Sequence, residues 1–237
     1  MSNDGLLDGA RLPGSDARIM GDSTPSSLFD ATALTCLRGR RLVFEDLVFG
    51  LDAGDALMLV GPNGSGKSSL LRVLAGLIEP LAGAVRWGGS DVAQDREAHR
   101  ARLAFVGHLD AVKAAFTVRE TLAAHAALAG STDPVDNAMA ALGLRGLSDV
   151  RGAELSAGQK RRVALARLVV DRRPLWLLDE PATGLDAESL SRLQRLIDTH
   201  RATGGIVVAS THGGLEMAGA KTLDIADFQA ETQGVSA

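Results

Sequence analysis

A glycine-rich string joins two apolar segments near the middle of the first half of the chain, and it narrows the choice of fold more than any other feature. Gly61, Pro62, Asn63, Gly64, Ser65, Gly66, Lys67, Ser68 and Ser69 follow the apolar run Ala56–Val60. They precede a segment whose Leu70, Leu71, Leu74 and Leu77 share one helical stripe. Gly61, Gly66, Lys67 and Ser68 fill the fixed positions of the pattern G-x-x-x-x-G-K-[ST]. The spacing predicts a buried strand over 56–60, a loop, and a helix over 69–78. Where glycines remove side chains, successive backbone N–H groups can point at one anion, reinforced by the positive end of the helix dipole. Lys67 is then placed for the β- and γ-phosphates of a nucleotide such as ATP, and the Ser68 hydroxyl for Mg²⁺.

A second chemical string is PLWLLDEP, Pro174–Pro181. Its apolar residues predict a buried strand ending at Asp179 and Glu180. A carboxylate at the carboxyl end of a core strand lies beside the phosphate loop in a parallel sheet. Asp179 is the candidate for holding Mg²⁺ through water. Glu180 is the candidate general base toward an attacking water.

Composition supports an enzyme-like domain and excludes several classes. Of 237 residues, 46% are hydrophobic, enough for a core, but only 3% are aromatic and none is Tyr, so Leu, Val and Ala must fill it. The net charge of −4 argues against nucleic acid as the main partner. A single cysteine, Cys36, forbids an internal disulfide and reads as a small buried apolar group. No apolar run approaches the roughly 18 residues that span a bilayer, so a membrane role needs a partner. Among the first 29 residues, 16 are Gly, Ser, Asp, Asn or Pro and no apolar h-region follows, which predicts a disordered tail and not a secretory signal.

Folded sequence is expected over 30–237. Short runs at Leu34–Leu37, Arg41–Phe44 and Leu47–Leu51, with Ala84–Trp87, predict a small antiparallel sheet. Further strands are expected at Leu103–Val106, Leu175–Leu178 and Ile206–Ser210. Helical patterns occupy Val118–Leu128, Pro134–Leu142, Gly158–Val170 and Ala187–Thr203. The stretch of about 109–158 contains helices and no convincing strand, as for a helical subdomain inserted into an α/β nucleotide-binding core.

The string LSAGQKRR, Leu155–Arg162, places Ser156 just before a helix, where its hydroxyl and the following N–H groups make a second anion site. It closely resembles the LSGGQ signature of ATP-binding-cassette (ABC) ATPases, with Ala157 replacing one glycine. ATGLDA, Ala182–Ala187, resembles their D-loop, and Ser210-Thr211-His212 their H-loop. Order and spacing agree: Ser156 precedes Asp179 by 23 residues and Glu180 precedes His212 by 32. The match covers about 31–228. The resemblance implies a P-loop core with an antiparallel β subdomain and a helical subdomain. It implies a homodimer in which Ser156, Ala157, Gly158, Gln159 and Asp186 meet the nucleotide of the opposite subunit, while His212 contacts the γ-phosphate. It also implies integral-membrane ABC partner subunits.

A narrower likeness is carried by FVGHLDAVKAAFTVRETL (Phe105–Leu122), by LSAGQKRR, and by RRPLWLLDEPATGLD (Arg172–Asp186). These are similar to the ATP-binding subunits of cytochrome c maturation systems, often called haem exporter ATPases. That likeness implies hydrolysis driving a haem-handling step from the cytoplasmic side of a bacterial inner membrane, with no haem bound directly. No C-x-x-C-H occurs and the five histidines are scattered. Two places depart from the ABC pattern. His108 stands where a glutamine usually senses the metal, and Arg38 falls near the slot of the adenine-stacking aromatic, with Phe44 the only aromatic nearby. A guanidinium can stack on a base.

Other readings stay open: the ATPase of another ABC exporter, a soluble non-transport ABC ATPase such as one of iron–sulfur assembly, or a P-loop kinase. Asp179 follows Lys67 by only 112 positions without heptads between, which leaves no room for the long coiled coils of DNA-repair forms. A kinase has no use for Leu155–Gln159.

Overall fold

The computed structural model describes residues 27–108, 112–211 and 213–229. Most of the expected N-terminal tail, residues 1–26, lies outside them, and its last residue, Phe29, belongs to the fold instead: it opens the first strand and is fully buried against Phe49 and Trp87. In chain order the first elements are β1 (Phe29–Arg38), β2 (Arg41–Leu51), β3 (Ala56–Val60), α1 (Lys67–Leu74), β4 (Ala82–Trp87), β5 (Ser90–Asp91), α2 (Arg96–Arg102) and β6 (Leu103–Val106). Then come α3 (Val118–Ala129), α4 (Val135–Ala141), α5 (Ala157–Asp171), β7 (Leu175–Asp179), α6 (Ala187–Ala202), β8 (Ile206–Ser210) and β9 (Lys221–Asp224). Short 3₁₀ turns sit at Arg145–Leu147, Gly152–Glu154 and Ile225–Phe228.

Two sheets organise the molecule. One is antiparallel with order β2-β1-β4-β5, and the other is parallel with order β6-β7-β8-β3-β9. The three short runs expected at the start of the first sheet are in fact two long strands. Their polar interruptions are the β1–β2 turn and a bulge, where Leu34 pairs with Leu47 but Cys36 with Phe44. Exposed Asp46, at φ 52°, is in the extra residue's segment. A bulge keeps apolar residues facing inward on both sides of the kink.

The parallel strands are apolar throughout because both faces are covered. Along β7, Leu175 and Leu177 enter the core shared with the antiparallel sheet and α1, whereas Trp176 and Leu178 enter the core on the opposite face. Along β8, Ile206 and Val208 divide from Val207 and Ala209 in the same way. Parallel register brings the carboxyl ends together: Asp179 lies opposite Ser210, and Ser210 opposite Leu59 of β3.

Helix α1 begins two residues earlier and ends four residues earlier than its stripe predicts. The Gly76 N–H donates to Val73 O and the Leu77 N–H to Arg72 O, with Gly76 at φ 66°, closing the helix in a Schellman motif. Leu77 therefore leaves the buried stripe and is 57% exposed. Helix α2 and strand β9 are additions to the expected set. The buried residue of α2 is His99, whose Nε2 lies 2.8 Å from Leu74 O, and an apolar period cannot reveal such an anchor. Strand β9 is an edge strand with only Leu223 buried. Between residues 112 and 156 the named elements are α3, α4 and two 3₁₀ turns, with one isolated bridge between Thr117 and Arg151. α3 and α4 pack on α5.

Candidate nucleotide site

The loop after β3 is built as an anion cradle. Gly66 is the N-cap of α1 at φ 117°, and a Cβ there would lie 2.4 Å from Val43 Cγ1, so glycine is required for both backbone and space. Pro62, Asn63 and Gly64 are exposed, whereas Ser65 and Lys67 are buried. Lys67 Nζ donates to Gly61 O at 2.7 Å and to Pro62 O at 2.9 Å, so the amine is held inside the arch of its own loop. Burial pushes its pKa down, opposed by the carboxylates of Glu180, Asp179 and Asp224. Below the ordinary lysine value but surrounded by three anions, this amine is the local positive partner for a polyanion.

Asp179 comes to this loop across the sheet. Its Oδ1 accepts from Ser68 Oγ at 3.0 Å and from Ser210 Oγ at 2.7 Å, and the residue is 2% exposed. Ser68 and Asp179 thus present hard oxygen donors side by side, the chemistry that suits Mg²⁺. Among the described residues no group of three or more His, Cys, Asp or Glu could hold a metal alone.

Glu180 has φ 50°, a left-handed conformation uncommon for a side chain with a Cβ. Its N–H donates to Ser210 Oγ at 2.9 Å, and Oε2 accepts from Thr183 Oγ1 at 3.3 Å. His108 Nδ1 stands 3.9 Å from Glu180 Oε2. The fold thus places His108 beside Glu180, one residue along the chain from Asp179. Ser210, which the sequence marks only as the first residue of the H-loop string, joins the Asp179 side chain to the Glu180 backbone from full burial. It also ends the last apolar run before Thr211.

The signature string starts α5. Ser156 Oγ accepts from Gln159 N–H at 3.2 Å, while the Ser156 N–H donates to Gln159 Oε1 at 2.8 Å, a reciprocal capping box. Ser156 is exposed. A Cβ at Gly158 would lie 2.9 Å from Gly184 O, so the signature helix and the ATGLDA loop touch backbone to backbone. They line a cavity of about 270 Å³ that includes Ser156, Gly158, Gln159 and Asp186. Asp186 caps α6 through Ser189 N–H at 2.8 Å; this hydrogen bond, then Arg162 and Arg192, holds its carboxyl below the usual range. A second cavity of about 220 Å³ is lined by Glu180, Thr183, Ser210 and Gly213 among others.

Two candidates remain outside this assembly. His212 lies outside the described residues. Arg38 ends β1 and is exposed, and its neighbour across the hairpin is Arg41. Phe44 is fully buried against Gly66, which leaves its ring no free face for a base.

Residues 44–183 match the family described as ABC transporter. A cytochrome c biogenesis ATP-binding export protein, CcmA, of Rhodospirillum rubrum is 51% identical over 85% of this chain and 87% of its own length. The protein of the same name from Paramagnetospirillum magneticum is 50% identical, over 88% of this chain and 97% of its own. Among solved structures, an ATP-binding subunit of an ABC transporter superposes with a TM-score of 0.70 at 26% identity, covering 78% of this chain and 80% of that one. A putative ABC transporter ATP-binding protein from Pyrococcus furiosus gives 0.75 at 22% identity over 85% of this chain and 99% of that one, a likeness of fold.

Proposed function

Because this chain belongs to the ABC transporter family, we propose that it is the ATP-hydrolysing subunit that energises haem handling in cytochrome c maturation. Its place as the ATP-binding subunit of an ABC transporter follows from the family; the finer assignment is supported by relatives of about half identical sequence named for cytochrome c biogenesis and export. The observation that carries the chemistry is the meeting of Lys67, Ser68, Asp179 and Glu180 at one edge of the parallel sheet.

In this reading residues 61–69 wrap the phosphates with backbone N–H groups, and Lys67 turns from its loop carbonyls to the β- and γ-phosphates. Ser68 and Asp179 would hold Mg²⁺, which supplies charge neutralisation at the transferring phosphoryl group. Glu180 orients and deprotonates the attacking water. His212 faces the γ-phosphate. The chain acts as a homodimer, with Ser156, Ala157, Gly158, Gln159 and Asp186 of one subunit closing the nucleotide site of the other. The ATP-binding domain begins at Phe29, the first residue of β1, and residues of about 109–158 form its helical subdomain. Among the described residues no helix is long and apolar enough to cross a membrane. In this reading force reaches the bilayer through integral-membrane partners on the cytoplasmic side, as the names of the relatives support. Haem itself is not a ligand of this subunit.

The purified full chain should hydrolyse ATP in Mg²⁺, and Lys67→Ala should bind ATP more weakly and hydrolyse it at least about 100-fold more slowly, since a desolvated triphosphate loses its fixed cation. Near-normal activity in that variant sinks the phosphate-loop assignment. A cell carrying only Lys67→Ala should lack covalently haem-loaded c-type cytochromes. Normal cytochromes beside an inactive ATPase would leave an ABC ATPase of another system.

A further inference from the structure

Arg161, 4% exposed, lies one turn into the helix that Ser156 caps, and its guanidinium reaches the ends of two strands. Nη2 donates to Asp179 O at 2.7 Å and to Glu180 O at 2.7 Å, Nε to Pro181 O at 3.3 Å, and Nη1 to Gly107 O at 2.8 Å. Three of these acceptors belong to the turn that carries Glu180, whose backbone sits at φ 50°. The fourth precedes His108, whose ring is 3.9 Å from the Glu180 carboxylate. A left-handed backbone at a residue with a Cβ is strained and persists only where its surroundings over-determine it. A planar, permanently charged fork meets that demand, because its donors have fixed directions and a buried guanidinium needs several acceptors.

We propose that Arg161 is a positioning residue for Glu180, and that it transmits the position of the signature helix to Glu180 of the same subunit. The inference rests on the reading of Glu180 as general base and of Ser156 as a contact to the partner's nucleotide. Arg161 touches neither nucleotide nor water in this scheme. It fixes the carbonyls on each side of the Glu180 side chain and the strand end beneath His108, while its own Cα rides on α5. When Ser156 engages a nucleotide across the interface, α5 settles, and the Glu180 turn settles with it. One nucleotide site thereby senses that the opposite site is filled.

The test uses Arg161→Lys and Arg161→Gln in the full chain. Lysine keeps the buried charge but cannot hold carbonyls of two strand ends at once. Expected for both is a fall in kcat of about 10- to 100-fold, the scale of a misplaced catalytic group. The KM for ATP and the Kd for Mg-ATP should stay within about twofold, and the Hill coefficient for ATP should fall toward one. ATP-dependent dimerisation should persist when Arg161→Lys is combined with Glu180→Gln, which shows that the subunit still folds and clamps. A wild-type kcat with Arg161→Lys, or a raised KM with kcat unchanged, overturns the proposal. Loss of Mg-ATP binding by the lysine variant also overturns it, since the residue would then be structural. A wild-type chain without ATPase activity would instead overturn the general reading of the site, whatever Arg161 does.

Discussion

Glu180 and His108 are the pair in which a single side chain has the most leverage. With Nδ1 3.9 Å from Oε2, the ring stands where it can orient the carboxylate, and the shorter amide of a glutamine at the same place can donate a hydrogen bond to it. His108→Gln should therefore retain or raise the steady-state ATPase rate, and His108→Ala should lower it a few-fold by leaving the carboxylate unsupported. Wild-type rates in both variants would make His108 a strand-end residue with no part in the chemistry. At this scale the sequence was informative where a motif fixes a residue type at a spacing. Lys67, Ser68 and Asp179 converge as the two strings demand, with Ser68 Oγ 3.0 Å from Asp179. The roles of Ser210 and Arg161 were not legible, because a serine ending a strand and one arginine among several on a helix carry no mark of their own. Only the register of β7 against β8 reveals the first, and only the packing of α5 under the strand ends reveals the second.

Elements read best where apolar period is unopposed. Strands β3, β6 and β8 have the bounds their runs predict, since burial on both faces makes a run continuous. Reading failed where polar contacts set the element: the Schellman closure of α1, the histidine anchor of α2 and the polar edge strand β9. A further histidine ties α6 to the sheet. His200 stacks on Trp176 of β7 with ring centroids 3.7 Å apart and planes within 4°. Burial lowers its pKa to about 4, and burial followed by Arg167 does the same to His125 on α3. Both stay neutral in the folded chain at pH values where the unfolded chain binds protons, so stability rises with pH between about 4 and 6.5 and is level above. Urea unfolding across that window should show this slope, and His200→Gln should reduce it by about one proton. An unchanged slope in the variant would mean that His200 titrates normally in the folded state.

Across the whole molecule, the residues of the nucleotide reading divide between two places. Lys67, Ser68 and Glu180 gather at the carboxyl edge of the parallel sheet, while Ser156 and Asp186 line a cavity that no phosphate-loop residue enters. In the proposed reading a two-fold pairing brings the signature of one subunit over the phosphate loop of the other. Glu180→Gln retains the shape of the site and removes the base, so bound ATP should persist between two subunits. Loss of a carboxylate's repulsion near the γ-phosphate should tighten the pairing further. Light scattering of Glu180→Gln should give twice the subunit mass in Mg-ATP and the subunit mass without nucleotide. Adding Ser156→Arg puts a bulky cation at the exposed cap of α5 and should return the protein to monomers that still bind ATP. If Glu180→Gln with Ser156→Arg still dimerises in Mg-ATP, the signature does not act across the interface. The sandwich would then be wrong for this chain, although the phosphate loop and its carboxylates would stand.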